Sequence, residues 1–293
     1  MTHKPEMKKR NTNNFKQMQR RAADVKRRFT LVCWLAVIAL VTIVIGKHFA
    51  QEQLGTPELP ADVTEQLQQI SVNDSIANTV IKYKAYTVYF NPKTHQPNAT
   101  IYELTADETE GNQPRANNFI HDENVEGCAH AWDYSNSGYD RGHMTPAADM
   151  KWDAEAMQQS FFMTNICPQN PGLNSNGWSR LEKKIRSWAK RDSSLIVATG
   201  PIPGNTLGSI GKEVTVPVPE AFFKVVYAPR HARAIAFIYA NNAQCNSKMR
   251  KYAVTVRQVE QLTGLNFFAS LPDDEENRIE QQCDFAQWEQ NIK

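Results

Sequence analysis

The plainest feature of the chain's hydropathy pattern is Phe29–Gly46, eighteen consecutive uncharged residues reading FTLVCWLAVIALVTIVIG. A helix of that length spans about 27 Å, close to the ~30 Å hydrocarbon core of a bilayer. Polar and apolar positions do not alternate along it as they would on an amphipathic core helix. The run predicts a transmembrane anchor. A cleaved signal peptide is the alternative, but its apolar core runs about 7–15 residues and ends at a small-x-small site. Here the run is longer, and His48 stands where a small residue is wanted. Residues 1–28 carry ten Lys/Arg against Glu6 and Asp24 alone. That flank is expected to stay cytoplasmic and the remainder to be exported, into a bacterial periplasm or, alternatively, a mitochondrial intermembrane space.

Residues 47–83, polar and containing Pro57 and Pro60, read as a stalk or linker. Beyond them, residues 84–293 change character. Tyr86–Phe90 and Ala99–Leu104 are strand-like runs separated by the turn signal Asn91-Pro92. Ser194–Thr199, Ala221–Tyr227 and Ala234–Tyr239 also read as strands. Asp153–Phe162, Gly177–Lys190 and Tyr252–Thr263 read as helices, the last ended by Gly264. Strands and helices mixed without strict βαβ alternation predict an α+β fold. Gly204, Gly208 and Gly211 mark a glycine-bearing surface loop without the Gly-Lys-Ser/Thr ending of a phosphate loop.

The overall charge of +2 averages unlike pieces. Residues 47–293 hold 23 basic and 29 acidic residues, net −6, which argues against coating nucleic acid by bulk charge. Cys128, Cys167, Cys245 and Cys283 lie outside the apolar run, so two disulfides are permitted with their connectivity open. No CxxC is present, and His121, Cys128 and His130 lack a fourth partner for a zinc-type site.

The candidate chemistry gathers around His143. It ends Asp140-Arg141-Gly142-His143, where Gly142 lets the backbone approach another group beside the imidazole. Downstream stand Asn165-Ile166-Cys167-Pro168-Gln169, then Asn174, Trp178, Leu181, Glu182 and Arg186. On a helix, Trp178, Leu181, Ile185 and Trp188 share an apolar face. Glu182 and Arg186 form an i,i+4 pair at its edge, where they could point into a cleft. Phosphodiester hydrolysis needs a base for water, neutralisation of charge at phosphorus and help for the leaving oxygen. Histidine titrates in the right range for the base. A divalent cation supplies Lewis acidity, and Mg²⁺ keeps most of its waters, so one side-chain oxygen such as that of Asn174 can hold it.

These blocks resemble the non-specific DNA/RNA endonucleases of the ββα-metal (His-Me finger) type, the family that includes endonuclease G. The resemblance covers roughly residues 84–285 and rests on Asp140–His143 together with the block from Asn165 to Arg186. It implies a nuclease domain with a central mixed or antiparallel sheet flanked by helices, acting on DNA and RNA. It implies His143 as general base and Asn174 as direct Mg²⁺ ligand, with Mn²⁺ an acceptable substitute. Glu182 would hold the cation through water and help protonate the leaving 3′-oxygen. Arg186 and Arg115 would stabilise phosphorane charge, leaving 5′-phosphate products. Asn165 and Gln169 would shape the site, Arg141 would contact phosphate or brace, and Asp140 would brace. A homodimer is left open. The alternatives are a decayed, binding-only protein on the same fold, or a small-nucleotide phosphodiesterase. Loss of any of His143, Asn174, Glu182 or Arg186 would mark decay.

Overall fold

The computed structural model describes residues 61–245 and 248–290. The expected anchor Phe29–Gly46, the basic tail and residues 47–60 lie outside the described residues. Among the described residues, no helix is long and apolar enough to cross a membrane.

A seven-stranded antiparallel sheet forms the centre. It is built from β2 (Thr79–Lys82), β3 (Thr87–Asn91), β4 (Gln96–Thr105), β7 (Ser194–Pro201), β10 (Ala221–Ala228), β11 (Arg233–Ala240) and β12 (Ala253–Val254). Their spatial order is β12-β11-β10-β7-β4-β3-β2. The architecture is α+β with an antiparallel central sheet. β4, β7 and β10 are buried along nearly their whole length, because the sheet is covered on both faces. Alternate residues therefore feed two cores. Tyr102, Leu104, Val197, Phe222 and Val226 pack with helix α3 (Ser179–Asp192) through Leu181, Ile185 and Trp188. Ile101, Ala198, Phe223 and Val225 pack the other way, against helix α4 (Val256–Thr263), strand β13 (Leu265–Phe267) and helix α5 (Asp273–Glu280).

The stalk boundary at residue 83 is corrected. Helix α1 (Ala61–Leu67) and strand β1 (Ile70–Val72) precede β2, with Leu67 and Ile70 buried. β1 pairs with β13 and β2 with β3, so residues 61–83 belong to the folded body. The glycine loop is also more ordered than expected. Gly208 lies within strand β8 (Thr206–Ile210), which pairs with β9 (Val216–Pro219) in a hairpin. The four cysteines hold free thiols rather than disulfides, with Cys128 and Cys167 buried. The last expected helix starts later than its apolar spacing suggested, because Thr255 caps it by accepting from Gln258 N. Gly264 ends it in the left-handed region.

On the α3 side of the sheet sits a ββα unit. Strands β5 (Asp140–His143) and β6 (Ile166–Gln169) pair antiparallel, with His143 opposite Ile166 and Asp140 opposite Gln169. After β6 the chain turns at Asn170, whose side chain accepts from Gly172 N (2.9 Å). It then enters helix through Pro171, passes through a wide π-helical turn over Leu173–Trp178 and continues as α3. Buried Asn241 bolts this corner in place. Its amide donates to the Pro168 and Pro219 carbonyls (3.1 and 2.9 Å) and its oxygen accepts from Asn170 N (2.7 Å).

Candidate active site

His143 closes β5 with its ring held by two aromatics. Phe161 meets it edge-on at 4.8 Å and Phe119 is tilted at 5.3 Å. Its Nε2 is buried and has no hydrogen-bond partner among the described residues. Burial, reinforced by the Arg115 guanidinium, pushes the imidazole down to about 3. The ring is therefore neutral across the physiological range, and its pKa lies well below the near-neutral range expected of it from sequence because burial and Arg115 both disfavour its charged form.

The backbone around it is fixed from the residue just before β6. Asn165 is fully buried. Its Oδ1 accepts from Thr145 N (2.8 Å), and its Nδ2 donates to the carbonyls of Thr145 (2.9 Å) and Ser160 (2.8 Å). Met144 N donates to the Asn165 carbonyl at 2.9 Å. Asn165 thus locks the chain directly after His143 instead of facing substrate. Gly142 is required by close approach. A Cβ there would lie 2.6 Å from the Gln169 Cβ and 2.5 Å from its Oε1. Gln169 is itself fully buried, so no space is left to yield into.

Asp140 reaches across to the helix. Asn174 Nδ2 donates to its Oδ2 at 2.9 Å. A carboxylate accepts only, so the amide nitrogen must face it and the amide oxygen must point away. Among the described residues that oxygen takes part in no hydrogen bond. It sits on the π-helical turn, a distortion frequent at functional sites. No group of three His, Cys, Asp or Glu that could cage a metal exists among the described residues. The donor chemistry suits a hard, largely hydrated cation held by one neutral oxygen.

Glu182 and Arg186 lie on α3 as the helical spacing predicts, both half-buried. The ion pair of Arg186 is not with Glu182, however. Arg186 Nη1 binds Asp149 Oδ1 at 2.5 Å, and the other Asp149 oxygen accepts from Tyr102 OH at 2.6 Å. Burial pushes the Glu182 carboxyl well above the ordinary carboxylate range; Lys224 opposes this and Asp149 adds to it. Lys224 is fully buried. Its Nζ donates to Thr199 Oγ1 (2.7 Å) and to the Met144 carbonyl (3.5 Å), and lies 4.8 Å from the Trp178 ring centre. Burial holds it below the ordinary lysine value. Arg115 is exposed, with its guanidinium 5.0 Å from the Phe161 ring centre.

Arg141 is engaged within the protein. Its Nε and Nη2 donate to the Ala131 carbonyl (3.0 and 2.5 Å), and its guanidinium covers Phe119 at 5.4 Å. These contacts join Arg141 to the Ala131 backbone and to Phe119. The structure thus brings Asp140 and Asn174 together and joins Met144, next to His143, to the Glu182 neighbourhood through Lys224. Asp149, Lys224, Phe119 and Phe161 were not foreseen as site residues. Lys224 alone carried a signal, as a lone lysine inside the apolar run FFKVV.

A ββα unit presenting an unpartnered neutral imidazole, a neutral amide oxygen and two arginines defines a class of phosphodiester-cleaving protein, and comparison with known proteins agrees. The family model described as DNA/RNA non-specific endonuclease matches residues 63–274. "Nuclease 1, mitochondrial" of Schizosaccharomyces pombe is 32% identical over 231 residues, spanning 71% of this chain and 70% of that one. The "Nuclease" of Nostoc sp. is 29% identical over 282 residues, spanning 85% and 97%. Human mitochondrial endonuclease G is 28% identical over 204 residues, spanning 64% and 69%. A crystal structure of the EndoG/EndoGI complex shares the fold with a TM-score of 0.64 at 24% identity, over 75% of this chain and 96% of that chain. The chain belongs to the DNA/RNA non-specific endonuclease family. It is an endonuclease, a hydrolase with nucleic acid as substrate, from a metal-dependent family.

Proposed function

We propose that this protein cleaves DNA and RNA without sequence preference in a Mg²⁺-dependent hydrolysis leaving 5′-phosphates, with His143 as general base. The observation that carries the reading is the buried, unpartnered Nε2 of a neutral imidazole. A core histidine normally has both ring nitrogens satisfied, whereas this ring, half-buried as a whole, stays neutral and able to take a proton.

Asn174, oriented by Asp140, would hold the cation directly and Glu182 would do so through water. When bound, the cation supplies Lewis acidity at the phosphodiester. The His143 imidazole takes the proton of the attacking water. Arg186, held by Asp149, and exposed Arg115 neutralise the charge that gathers on the phosphoryl oxygens. The 3′-oxygen departs with a proton supplied from the Glu182 side, where burial favours the protonated carboxyl. Phosphorus therefore remains on the 5′-oxygen. None of these groups reads a base edge, which supports weak sequence preference.

The test is incubation of the protein with linear DNA, closed circular DNA and RNA. All three are expected to be degraded with Mg²⁺, and excess EDTA is expected to stop degradation. Cleavage indifferent to EDTA would remove the cation from the mechanism; a need for free DNA ends would remove the endonucleolytic reading. We place the domain outside the membrane, anchored through Phe29–Gly46. Protease added to intact spheroplasts should strip the nuclease domain and spare the basic tail; a protected domain would reverse that topology.

A further inference from the structure

We propose that Trp132 is a stacking platform that receives an unpaired nucleobase of the substrate strand beside the cleavage site. This rests on the nuclease reading above and extends it to how the strand is gripped.

Trp132 is 50% exposed, unusual for the largest aromatic side chain, yet it is not loose. Its ring lies 4.0 Å from that of His130 at an interplanar angle of 9°. His130 in turn stacks on His121 at 3.9 Å and 18°. The three rings form a short column whose spacing is close to that of stacked bases, with the indole as its open end. The column is held from several sides. Asp133 accepts from the backbone N–H groups of His130, Lys212 and Glu213 (3.0, 2.8 and 2.9 Å). His121 Nδ1 donates to the Ala129 carbonyl (3.3 Å), and His130 Nε2 lies 3.7 Å from the Glu213 carboxylate. A rigid aromatic surface loses little freedom when a ligand lands on it.

Its position points to the occupant. Arg141, two residues before His143, grips the Ala131 carbonyl, next to Trp132, and the Ser135 hydroxyl. The same guanidinium covers Phe119, which packs on the His143 ring. Three contacts, through Arg141 and Phe119, therefore connect the platform's backbone to the general base. A nucleobase is the planar group a nuclease brings there. In a duplex the faces of bases are covered by their neighbours, so only a splayed or single-stranded base offers one. Stacking accepts every base, as a non-specific enzyme requires. It also supplies affinity that residues 47–293, at net −6, cannot draw from bulk charge.

The test uses the full chain in a His143→Ala background, so that substrate survives in Mg²⁺. Binding of a labelled single-stranded oligonucleotide and of a blunt duplex is followed by fluorescence anisotropy across a salt series. Trp132→Ala and Trp132→Leu should each weaken single-strand binding about tenfold, with a smaller effect on the duplex and an unchanged salt slope. Trp132→Phe should restore most of the loss. Leucine preserves apolar bulk without a π-face, so single-strand binding by Trp132→Leu equal to the parent's would overturn the proposal. Equal losses on single strand and duplex would also overturn it. Failure of the wild-type chain to cut would instead strike the nuclease reading, because the binding measurement needs no turnover.

Discussion

Replacing His143 with alanine is expected to lower kcat on plasmid DNA and on RNA by about 10²–10⁴-fold, the usual worth of a positioned general base. The residual rate should come from the arginines and the cation. The loss should not be a folding defect, since Asn165 holds the backbone at Met144–Thr145 without help from the imidazole, and the thermal transition checks this. The pH dependence separates this histidine from an ordinary one. Burial and Arg115 lower its value from 6.5 to about 3 in the fold. The acid limb of kcat/KM in the free enzyme should therefore show no inflection at 6.5. The same shift acts on stability. Between about 3 and 6.5 the unfolded chain binds the proton and the folded chain does not, so stability from this group rises with pH through that window and is lost on acidification. His143→Ala should flatten that part of the stability profile. An inflection near 6.5 in wild type, or turnover within a few-fold of wild type in the variant, would contradict the assignment.

The second large effect is expected at the amide. Asn174→Ala removes the amide oxygen proposed to hold the cation, and a Lewis acid at a phosphoryl group is worth several kcal/mol. Turnover should fall by at least about 10²-fold, and raised Mg²⁺ should recover little of it. Asp140→Ala acts one shell further out. It leaves the oxygen but frees the amide to rotate, so the apparent Mg²⁺ requirement should rise about 10–100-fold while turnover at saturating Mg²⁺ largely returns. Initial rates measured against Mg²⁺ concentration distinguish the two. An Asn174→Ala enzyme with the parental rate and the parental metal dependence would exclude the amide as ligand.

The sheet was legible where its strands bury side chains. β3, β4, β7, β10 and β11 announce themselves as apolar runs because two cores draw on alternate residues. β2 did not. It sits at the sheet edge with Val80 and Thr79 exposed, and its order comes from backbone pairing with β3. Edge pairing leaves little trace in hydropathy, which is why residues 61–83 read as linker. The helix face through Leu181, Ile185 and Trp188 was readable from periodicity, and it set Glu182 and Arg186 at the edge. Periodicity could not show that Asp149, remote in sequence on a short 3₁₀ turn, would take Arg186 as its partner. The free state of Cys128 and Cys167 was hidden for a similar reason, since both are core residues placed by strand packing and loop closure. The stacking of His121, His130 and Trp132 depends on how the segment carrying His121 closes on the short 3₁₀ turn Ala131–Tyr134 that His130 caps. Single residues in polar text give no warning of that.

The proposed mechanism needs a hydrated divalent cation held by one amide oxygen within the ββα unit. Anomalous diffraction from crystals of the His143→Ala protein soaked in Mn²⁺ tests it most directly. One strong anomalous peak is expected at bonding distance from Asn174 Oδ1, with water completing the shell and Glu182 reaching it through that water. A peak caged by several carboxylates elsewhere, or none near Asn174 in a crystal that binds Mn²⁺, would contradict it.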